Sequence, residues 1–233
     1  AFLGGVDIMK NVSSLAPINE AIEKYAPNIK RIFSDKPLLK KALTCTDGKI
    51  YSLPTGGDVA TDLVGSNMWI NKNWLDKLKL NMPTTTEEFY NVLKEFSVKD
   101  PNGNGKRDEI PFCPTNANGS SMIDNMFGAF GTMDNNNYVR IQDGKVIFTP
   151  AEEGYFEGLK WFHKLYSEGL MNQEYFTEQY QQYKAKGDNP EVIIGVAMDW
   201  YSDNIIPADK AIQYELLPPL KGPKGDQLWG NER

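Results

Sequence analysis

The chain has 233 residues, of which 40% are hydrophobic and 24% charged, and its formal net charge at pH 7 is −6. This length and composition predict a globular protein with one large domain or two modest ones. A negative charge without a Lys/Arg cluster argues against nucleic acid as a partner. No apolar run approaches the roughly 20 residues of a membrane helix, and no signal peptide is visible, which fits a cytosolic protein or one already processed.

Cysteine and histidine are too scarce to suggest the common metal sites and nucleophilic dyads. Cys45 and Cys113 could pair in an oxidising compartment, but their spacing does not indicate it, so two isolated small hydrophobic residues are the favoured interpretation. His163 lies in an amphipathic helical pattern, which favours a packed or solvated side chain. These counts argue against histidine-based zinc sites and against Ser-His or Cys-His catalysis.

The first third of the chain begins with helical patterns. Apolar spacing predicts a helix over residues 18–26 that Pro27 ends, and a second helix fits residues 35–43. TDGKIYSLP combines an Asp-Gly turn with strand alternation over residues 49–53. The turn-rich stretch PTGGDVATD after it predicts a loop or a crossing between substructures.

The middle of the chain predicts a strand and two helices. SNMWINKN fits a strand that ends near Ile70, followed by a short helix with an asparagine cap. Thr84 or Thr85 can cap the next helix, because Glu87 or Glu88 stands three residues on, at capping-box spacing. One apolar face follows at helical spacing: Phe89, Val92, Leu93 and Phe96.

The last third predicts a hairpin, further helices and a buried strand. Residues 138–149 fit a hairpin with an Asp-Gly turn, and Thr149 and Glu152 have capping-box spacing before another helix. The stripe expected to be buried on that helix is Tyr155, Leu159, Phe162 and Tyr166. EVIIGVAMDW predicts a buried strand, because it is short and rich in β-branched residues, and ELLPPLKGPKG predicts a linker. Alternating helices and strands place the chain in the α/β class.

DPNGNGKRDEIP places oxygen donors at every second position. Asp100, Asn102 and Asn104 take the first, third and fifth places, and Gly105 stands where the backbone must turn sharply. Hard cations take oxygen ligands, and this is the pattern with which an EF-hand calcium loop starts.

The end of this loop departs from the EF-hand. Lys106 can offer its backbone carbonyl at the seventh place, and Asp108 takes the ninth. The twelfth place holds Pro111, so Glu109 at the tenth is the nearest substitute for the final carboxylate. The loop therefore predicts a fixed structural calcium clip rather than a sensor, with a metal-free solvated turn as the alternative. Magnesium is disfavoured, because it seldom uses all-protein cages.

Five stretches together resemble one protein family: AIEKYAPNIKR, TDGKIYSLP, MWINKNWLDKLKLNMPTTTEEFYNVLKEF, DPNGNGKRDEIPF and ELLPPLKGPKG. They are similar to extracellular solute-binding proteins (family 1) of bacterial ABC transporters, in particular the sugar-binding lipoproteins of Gram-positive bacteria with a calcium loop. The resemblance runs over nearly the whole chain, in order.

The resemblance implies an α/β fold of periplasmic-binding-protein-like type II, with two lobes joined by a hinge and one lobe incomplete here. Residues 1–60 would belong to a partial N-terminal lobe and residues 61–217 to the C-terminal lobe with the calcium loop, 100–109. The hinge crossings would fall at residues 55–62 and in residues 218–233, the latter returning towards the N-terminal lobe. Family members are much longer, so a fragment is expected.

The resemblance also implies a function. The protein would capture an oligosaccharide outside the cell and deliver it to the permease subunits of an ABC transporter. The full-length protein would be a lipid-anchored surface protein, expected to be monomeric, with structural Ca²⁺ and no catalysis.

Sugars offer hydroxyl edges and apolar ring faces, which carboxylates and aromatic rings recognise. Trp200 and Tyr201 directly follow the buried strand, where ligands of α/β lobes sit, and Asp199 can accept hydroxyl hydrogen bonds beside them. Trp200 packed in the core is the alternative.

Three further places are weaker candidates for ligand contact. Gly57 and Asp58 lie in the predicted crossing, for which a plain hinge loop is an equal interpretation. TNANGSS, residues 115–121, can face a cleft or solvent, and Trp229 could line a cleft in the whole protein.

Two other functions remain open on the residues alone. A carbohydrate-active enzyme with structural calcium would need two carboxylates flanking the scissile bond, and Asp199 with Asp203 can be proposed, although no motif fixes them. A cell-surface scaffold stiffened by calcium would have no ligand cleft.

Overall fold

The computed structural model describes residues 5–53, 66–116, 122–133 and 138–229. The chain divides into two compact units, residues 1–58 and 59–233. The predicted crossing at residues 55–62 lies outside the described residues, and the assignment of residues to lobes stays a prediction. Among the helices described, none combines the length and the apolar character needed to cross a bilayer.

The smaller unit is helical in its described part. Its helices are α1 (Gly5–Lys10), α2 (Asn19–Tyr25), α3 (Pro27–Asp35) and α4 (Pro37–Leu43), with a 3-10 turn at Val12–Ser14. Ile22, Phe33 and Ile50 form its buried cluster. The helix predicted over residues 18–26 is confirmed as α2.

One expectation for this unit is confirmed and one is wrong. The helix α2 ends at Tyr25, before Pro27, as predicted, and Pro27 itself begins α3, because a proline in the first turn lacks only an N–H that has no intrahelical partner. The strand expected over residues 49–53 is reduced to a bridge between Thr44 and Ile50. The start of α2 engages the backbone of Ile50 instead: its N–H donates to Asn19 Oδ1 (2.9 Å), and its carbonyl accepts from the N–H of Ile18 (2.8 Å).

The larger unit combines a mixed sheet, a hairpin and helices. Its strands are β1 (Asn67–Asn71), β2 (Ile110–Pro114), β3 (Val139–Gln142), β4 (Lys145–Phe148), β5 (Ile194–Asp199) and β6 (Tyr214–Leu217). Its helices are α5 (Lys72–Leu78), α6 (Thr86–Val98), α7 (Glu153–Ser167) and α8 (Tyr180–Gly187), with 3-10 segments at Met122–Phe130, Thr149–Ala151, Ser202–Asn204 and Ala211–Gln213. The sheet has the order β2-β5-β1-β6, and β3 and β4 form the predicted hairpin.

The strand β5 lies inside the sheet, and all six of its residues are buried. It pairs antiparallel with β1, where Met198 faces Met68, and parallel with β2, where Val196 faces Phe112. Val196 and Met198 pack in the main core, whereas Ala197 points to the opposite face and a second cluster. The buried strand predicted from EVIIGVAMDW is confirmed.

The helix α6 begins at the predicted capping box. Thr85 Oγ1 accepts the N–H of Glu88 (3.1 Å), and Glu88 Oε2 accepts the N–H of Thr85 (3.2 Å). This pair satisfies two N–H groups that the first turn cannot satisfy itself. The apolar face of α6 then packs on the sheet, where the Phe89 ring stands edge-on to Phe112 of β2 with centroids 5.5 Å apart.

The second predicted capping box is wrong. Residues 149–151 form a 3-10 turn, and Glu152 precedes α7 without a side-chain capping bond. Glu152 binds Arg140 of β3 instead, through Nε to Oε2 (2.9 Å) and Nη2 to Oε1 (2.6 Å), and it accepts a bond from Thr132 Oγ1 (2.6 Å). A bidentate, charge-assisted pair is stronger than a bond to one neutral N–H.

The buried stripe of α7 is shifted from the predicted one. Phe162 is buried as expected, but Leu159 is 45% exposed. The buried face is centred on Gly158, where an added Cβ would meet the Phe127 ring at 2.7 Å, and on Leu165. Glycine has no side chain, so a pattern of apolar residues cannot reveal that Gly158 lies on the buried face of α7.

The stretch ELLPPLKGPKG, expected to be a linker, is structured. Its first residues form β6, in which Leu217 faces Met68 of β1, and Leu220 is buried in the main core. Lys221 exchanges two backbone hydrogen bonds with the residues that precede and start α6. The linker expectation fails because the two leucines complete the core. A return of residues 218–233 towards another lobe stays a prediction.

We expect Glu152→Gln to reduce the free energy of unfolding by about 1–2 kcal/mol at pH 7, because it breaks a partly buried ionic pair. The hydrogen bond from Arg140 holds the pKa of Glu152 below its usual range. A carboxyl with a lowered folded pKa stabilises the fold above its unfolded pKa, and this contribution is lost as the pH falls through the folded pKa. The difference between the two proteins should therefore shrink in acid, measured by urea unfolding at each pH.

The matched control is Glu157→Gln, which breaks an exposed pair with Lys160 on α7. An exposed pair contributes about 0–1 kcal/mol, so little change is expected. Equal losses in both variants, or a loss in Glu152→Gln that does not vary with pH, would contradict the assignment.

Candidate functional site

Polar residues gather at the sheet edge where β2 and β5 end and β1 begins. Asn67 of β1 faces Asp199 of β5, and Thr115 follows the β2 residue that faces Met198. We call Ser66, Asn67, Thr115, Asp199 and Trp200 the polar edge. The carboxyl ends of two parallel strands therefore meet here, which is where ligands of α/β folds bind.

Asp199 uses its two oxygens differently. Its Oδ1 accepts bonds from the N–H of Trp200 (2.6 Å) and from Asn204 Nδ2 (2.6 Å). Its Oδ2 is buried and has no hydrogen-bond partner among the described residues. Burial raises the pKa of the Asp199 carboxyl, against the opposing effects of those two bonds and of the nearby Tyr183 hydroxyl. The Tyr183 hydroxyl donates to the carbonyl of Met198 (3.0 Å), so among the described residues Asp199 Oδ2 is left as a buried acceptor without a donor.

The aromatic candidates beside Asp199 differ in burial. Trp200 is only partly buried, and its carbonyl accepts a bond from Asn67 Nδ2 (3.1 Å). Tyr201 is 42% exposed. A fully core-packed Trp200, the alternative in the sequence, is thus not what the structure has.

Trp229 joins the polar edge from far along the chain. Its Nε1 donates to the carbonyl of Ser66 (3.1 Å), and its partly buried ring packs against the main core. Asn125 Nδ2 donates to Ser66 Oγ (2.9 Å) and brings the 3-10 segment to the same place. Sequence reasoning missed Ser66, Asn67 and Asn125. The position of Asn67 follows from the antiparallel pairing of β1 with β5, and that of Asn125 from its bond to Ser66, 59 positions away, and sequence spacing reveals neither.

Two of the candidate regions cannot be placed. Gly57 and Asp58 lie outside the described residues, and so do residues 117–121 of the TNANGSS stretch.

His163 is an exposed residue of α7, and Cys45 and Cys113 are free thiols. Burial raises the pKa of the Cys113 thiol to about 12, which leaves it unreactive at neutral pH.

Residues 100–109, which we call the cation loop, form a tight coil before β2. The Asp100 carboxylate accepts the N–H groups of Gly103 (2.8 Å), Asn104 (3.1 Å) and Gly105 (3.0 Å). Gly105 has φ +75°, a left-handed conformation that glycine adopts without strain, as its place in the pattern predicts. The Asp108 carboxylate accepts hydrogen bonds from the side-chain amides of Asn102 (3.1 Å) and Asn104 (3.0 Å).

Glu109 supplies the observation that points to a cation. Its Oε1 is buried and has no hydrogen-bond partner among the described residues. Burial raises the pKa of this carboxyl, and the negative charges of Asp108 and Asp100 raise it further. A bound cation would remove this repulsion and satisfy the unpaired oxygen.

The loop donors fit calcium in their chemistry. No cluster of three or more His, Cys, Asp or Glu side chains able to hold a metal stands in the described parts of the chain. Calcium, however, also takes amide and backbone carbonyl oxygens, so carboxylates need not converge alone. Asp100, Asn102, Asn104, Asp108 and Glu109 supply five side-chain oxygen donors within ten residues, beside the backbone carbonyl of Lys106.

No family model matches the chain, but known proteins do. It is 39% identical over 219 residues to FusA, a fructooligosaccharide ABC transporter substrate-binding protein of Streptococcus pneumoniae, which covers 91% of this chain and 40% of FusA. It is 34% identical over 148 residues to the lipoprotein LipO of Bacillus subtilis, which covers 61% of this chain and 27% of LipO. The chain thus spans less than half the length of these relatives.

Solved structures agree with the sequence matches. FusA in complex with kestose superposes with a TM-score of 0.82 at 37% identity, over 99% of this chain and 48% of that one. An extracellular solute-binding protein from Bifidobacterium longum subsp. infantis gives a TM-score of 0.75 at 31% identity, over 98% and 49%. One FusA structure is described as an EF-hand mutant in complex with fructo-nystose.

Fold and comparisons define the class. The chain is homologous to the extracellular substrate-binding proteins of bacterial ABC transporters, and its α/β fold is that of the type II solute-binding proteins. The resemblance and fold class predicted from the sequence are confirmed. FusA is found by both the sequence comparison and the structure comparison.

Proposed function

We propose that the protein containing this chain captures an oligosaccharide outside the cell and delivers it to the permease of an ABC transporter. The observation that carries this proposal is the buried Oδ2 of Asp199, which has no hydrogen-bond partner among the described residues, beside the partly buried Trp200 and the exposed Tyr201. A carboxylate oxygen without a donor suits a sugar hydroxyl, and an indole face suits the C–H face of a pyranose or furanose ring. FusA, described in complex with kestose, supports a short oligosaccharide as the cargo.

In this proposal the residues of the polar edge have separate roles. Asp199 Oδ2 accepts a hydroxyl hydrogen bond, while Asp199 Oδ1 fixes the turn that carries Trp200 and Tyr201. Trp229 closes one side of the site through its bond to Ser66. Gly57 and Asp58 remain proposed ligand residues on the sequence argument alone.

We propose binding without turnover. FusA is described as a substrate-binding protein, which supports this over the enzyme with Asp199 and Asp203 as its carboxylates. We also propose that the protein works as a monomer at the outer cell surface with a lipid anchor, a setting that LipO, described as a lipoprotein, supports.

The test uses the complete mature protein carrying this sequence and a panel of fructo-oligosaccharides, with binding measured by titration calorimetry. We expect Asp199→Asn to weaken binding about 10- to 100-fold, because a buried acceptor becomes a donor that sugar hydroxyls match poorly. Its melting temperature should not fall. A carboxyl with a raised folded pKa destabilises the fold as the pH rises above its unfolded pKa, and the amide removes that charge.

The matched control is Asp203→Asn, which removes the same charge from an exposed position on the same turn. It should bind like the wild type, and the sugar should be recovered intact from every protein. Unchanged affinity in Asp199→Asn would exclude the proposed site. Recovery of cleaved sugar would favour the carbohydrate-active enzyme. If no glycan bound at all, the cell-surface scaffold would be the function that remains.

We also propose that the cation loop holds structural Ca²⁺. Asp100, Asn102, Asn104, Asp108 and Glu109 would supply side-chain oxygens, and Lys106 its backbone carbonyl. The unpaired Glu109 Oε1 supports this site, and so does the description of a FusA structure as an EF-hand mutant. Calcium would hold the segment that leads into β2 and would not touch the sugar.

Calcium at about 100 times its dissociation constant should stabilise the fold by about 2.7 kcal/mol, or on the order of 5–10 °C in melting temperature. Glu109→Gln should lose most of this shift, because it replaces the unpaired carboxylate. Glu191→Gln, at an exposed position, should keep it. Equal melting temperatures of the wild type in calcium and in chelator would refute the calcium site.

A further inference from the structure

A lysine on a neighbouring helix binds the first two residues of the cation loop, Asp100 and Pro101, which we call its entrance. Lys77 stands near the end of α5, and its Nζ donates to the carbonyl of Pro101 at 2.8 Å and lies 3.5 Å from the carbonyl of Asp100. The same ammonium fills the space beside Gly103, where an added Cβ would lie 2.8 Å from it. Lys77 therefore contacts the loop at both its entrance and its first turn.

The entrance is the part of the loop with the least favourable backbone. Asp100 has φ +49°, a left-handed conformation that non-glycine residues seldom adopt. Its carboxylate nevertheless accepts N–H bonds from Gly103, Asn104 and Gly105, so the conformation of Asp100 decides where the first predicted ligand points. A residue that holds the carbonyls of Asp100 and Pro101 therefore stabilises this orientation.

We propose that Lys77 is a positioning residue of the cation loop. Its ammonium binds the two carbonyls at the entrance and thereby keeps the Asp100 carboxylate turned into the loop, ready for the cation. This role rests on the proposed calcium site, because it concerns the affinity of that site. It assigns a function to a residue outside the oxygen-donor pattern.

The proposal and simple electrostatics predict opposite results. A lysine near a calcium site repels the cation, so removing its charge should tighten binding if charge alone mattered. Removing a positioning residue should weaken binding, because the loop then spends more time in conformations that turn Asp100 away. The sign of the change therefore separates the two.

The experiment compares Lys77→Met with Lys99→Met in the complete protein. Methionine keeps an unbranched apolar side chain and removes the ammonium. Lys99 directly precedes Asp100 and is exposed. Within the described residues its ammonium makes no hydrogen bond or ion pair, so its variant removes a nearby charge without removing a contact. Lys77→Arg tests rescue, because a guanidinium can also donate to two carbonyls.

Two readouts are needed. The first is amide hydrogen exchange at residues 103–105 in chelator, which should be about 10-fold faster in Lys77→Met and unchanged in Lys99→Met. The second is calcium titration, in which Lys77→Met should bind about 3- to 10-fold more weakly than Lys99→Met, with partial recovery in Lys77→Arg.

Calcium binding by Lys77→Met as tight as by Lys99→Met, or tighter, would overturn the positioning role. Unchanged exchange at residues 103–105 would overturn it as well. A wild type that does not bind calcium would instead overturn the calcium site and with it the role of Lys77 towards the cation. The exchange rates measured in chelator would still show whether Lys77 orders the loop.

Discussion

The larger unit depends on the complete burial of β5. This strand pairs on both sides, antiparallel with β1 and parallel with β2, and its two faces belong to two different core clusters. The backbone N–H and C=O groups of β5 thus find partners within the sheet, and its apolar side chains pack in the two cores. Polar side chains can therefore be presented only at the ends of the strand. The chain leaves the sheet at Asp199, and the pairing of β5 with β1 and β2 brings Asn67 and Thr115 beside that exit.

The parallel partner β2 links the two candidate sites. The cation loop ends directly before β2, and Thr115 of the polar edge directly follows it. Five strand residues at about 3.3 Å each separate them by roughly 17 Å, too far for the cation to contact a sugar at the edge. Both sites also contain a buried carboxylate oxygen without a donor in the part of the chain that the structure describes, Oε1 of Glu109 and Oδ2 of Asp199. Local violations of hydrogen-bond satisfaction are expected at functional sites, where a ligand supplies the missing partner.

Much of the architecture follows from local sequence signals. The box of Thr85 and Glu88, the Asp-Gly turn between β3 and β4 and the apolar run of β5 each act over a few residues, and the structure confirms them. The failures share a cause. Glu152 has capping-box spacing, but a guanidinium more than ten residues away competes for its carboxylate, and spacing cannot reveal that.

The same limit applies to the sites. The sequence identifies Asp199 and Glu109 as candidates, because each stands at a recognisable place beside a strand or in a loop. It does not identify the contact of Lys77 with Pro101 or that of Trp229 with Ser66, which join residues 24 and 163 positions apart. Such contacts depend on how β1, α5 and the residues after β6 pack, which is a property of the whole unit.

The most direct measurement is a crystal structure of the complete protein with calcium and the oligosaccharide that it binds most tightly. The account predicts a sugar hydroxyl about 2.7 Å from Asp199 Oδ2, with a sugar ring against Trp200. A sugar bound elsewhere, with Asp199 Oδ2 in contact only with protein or water, would contradict it.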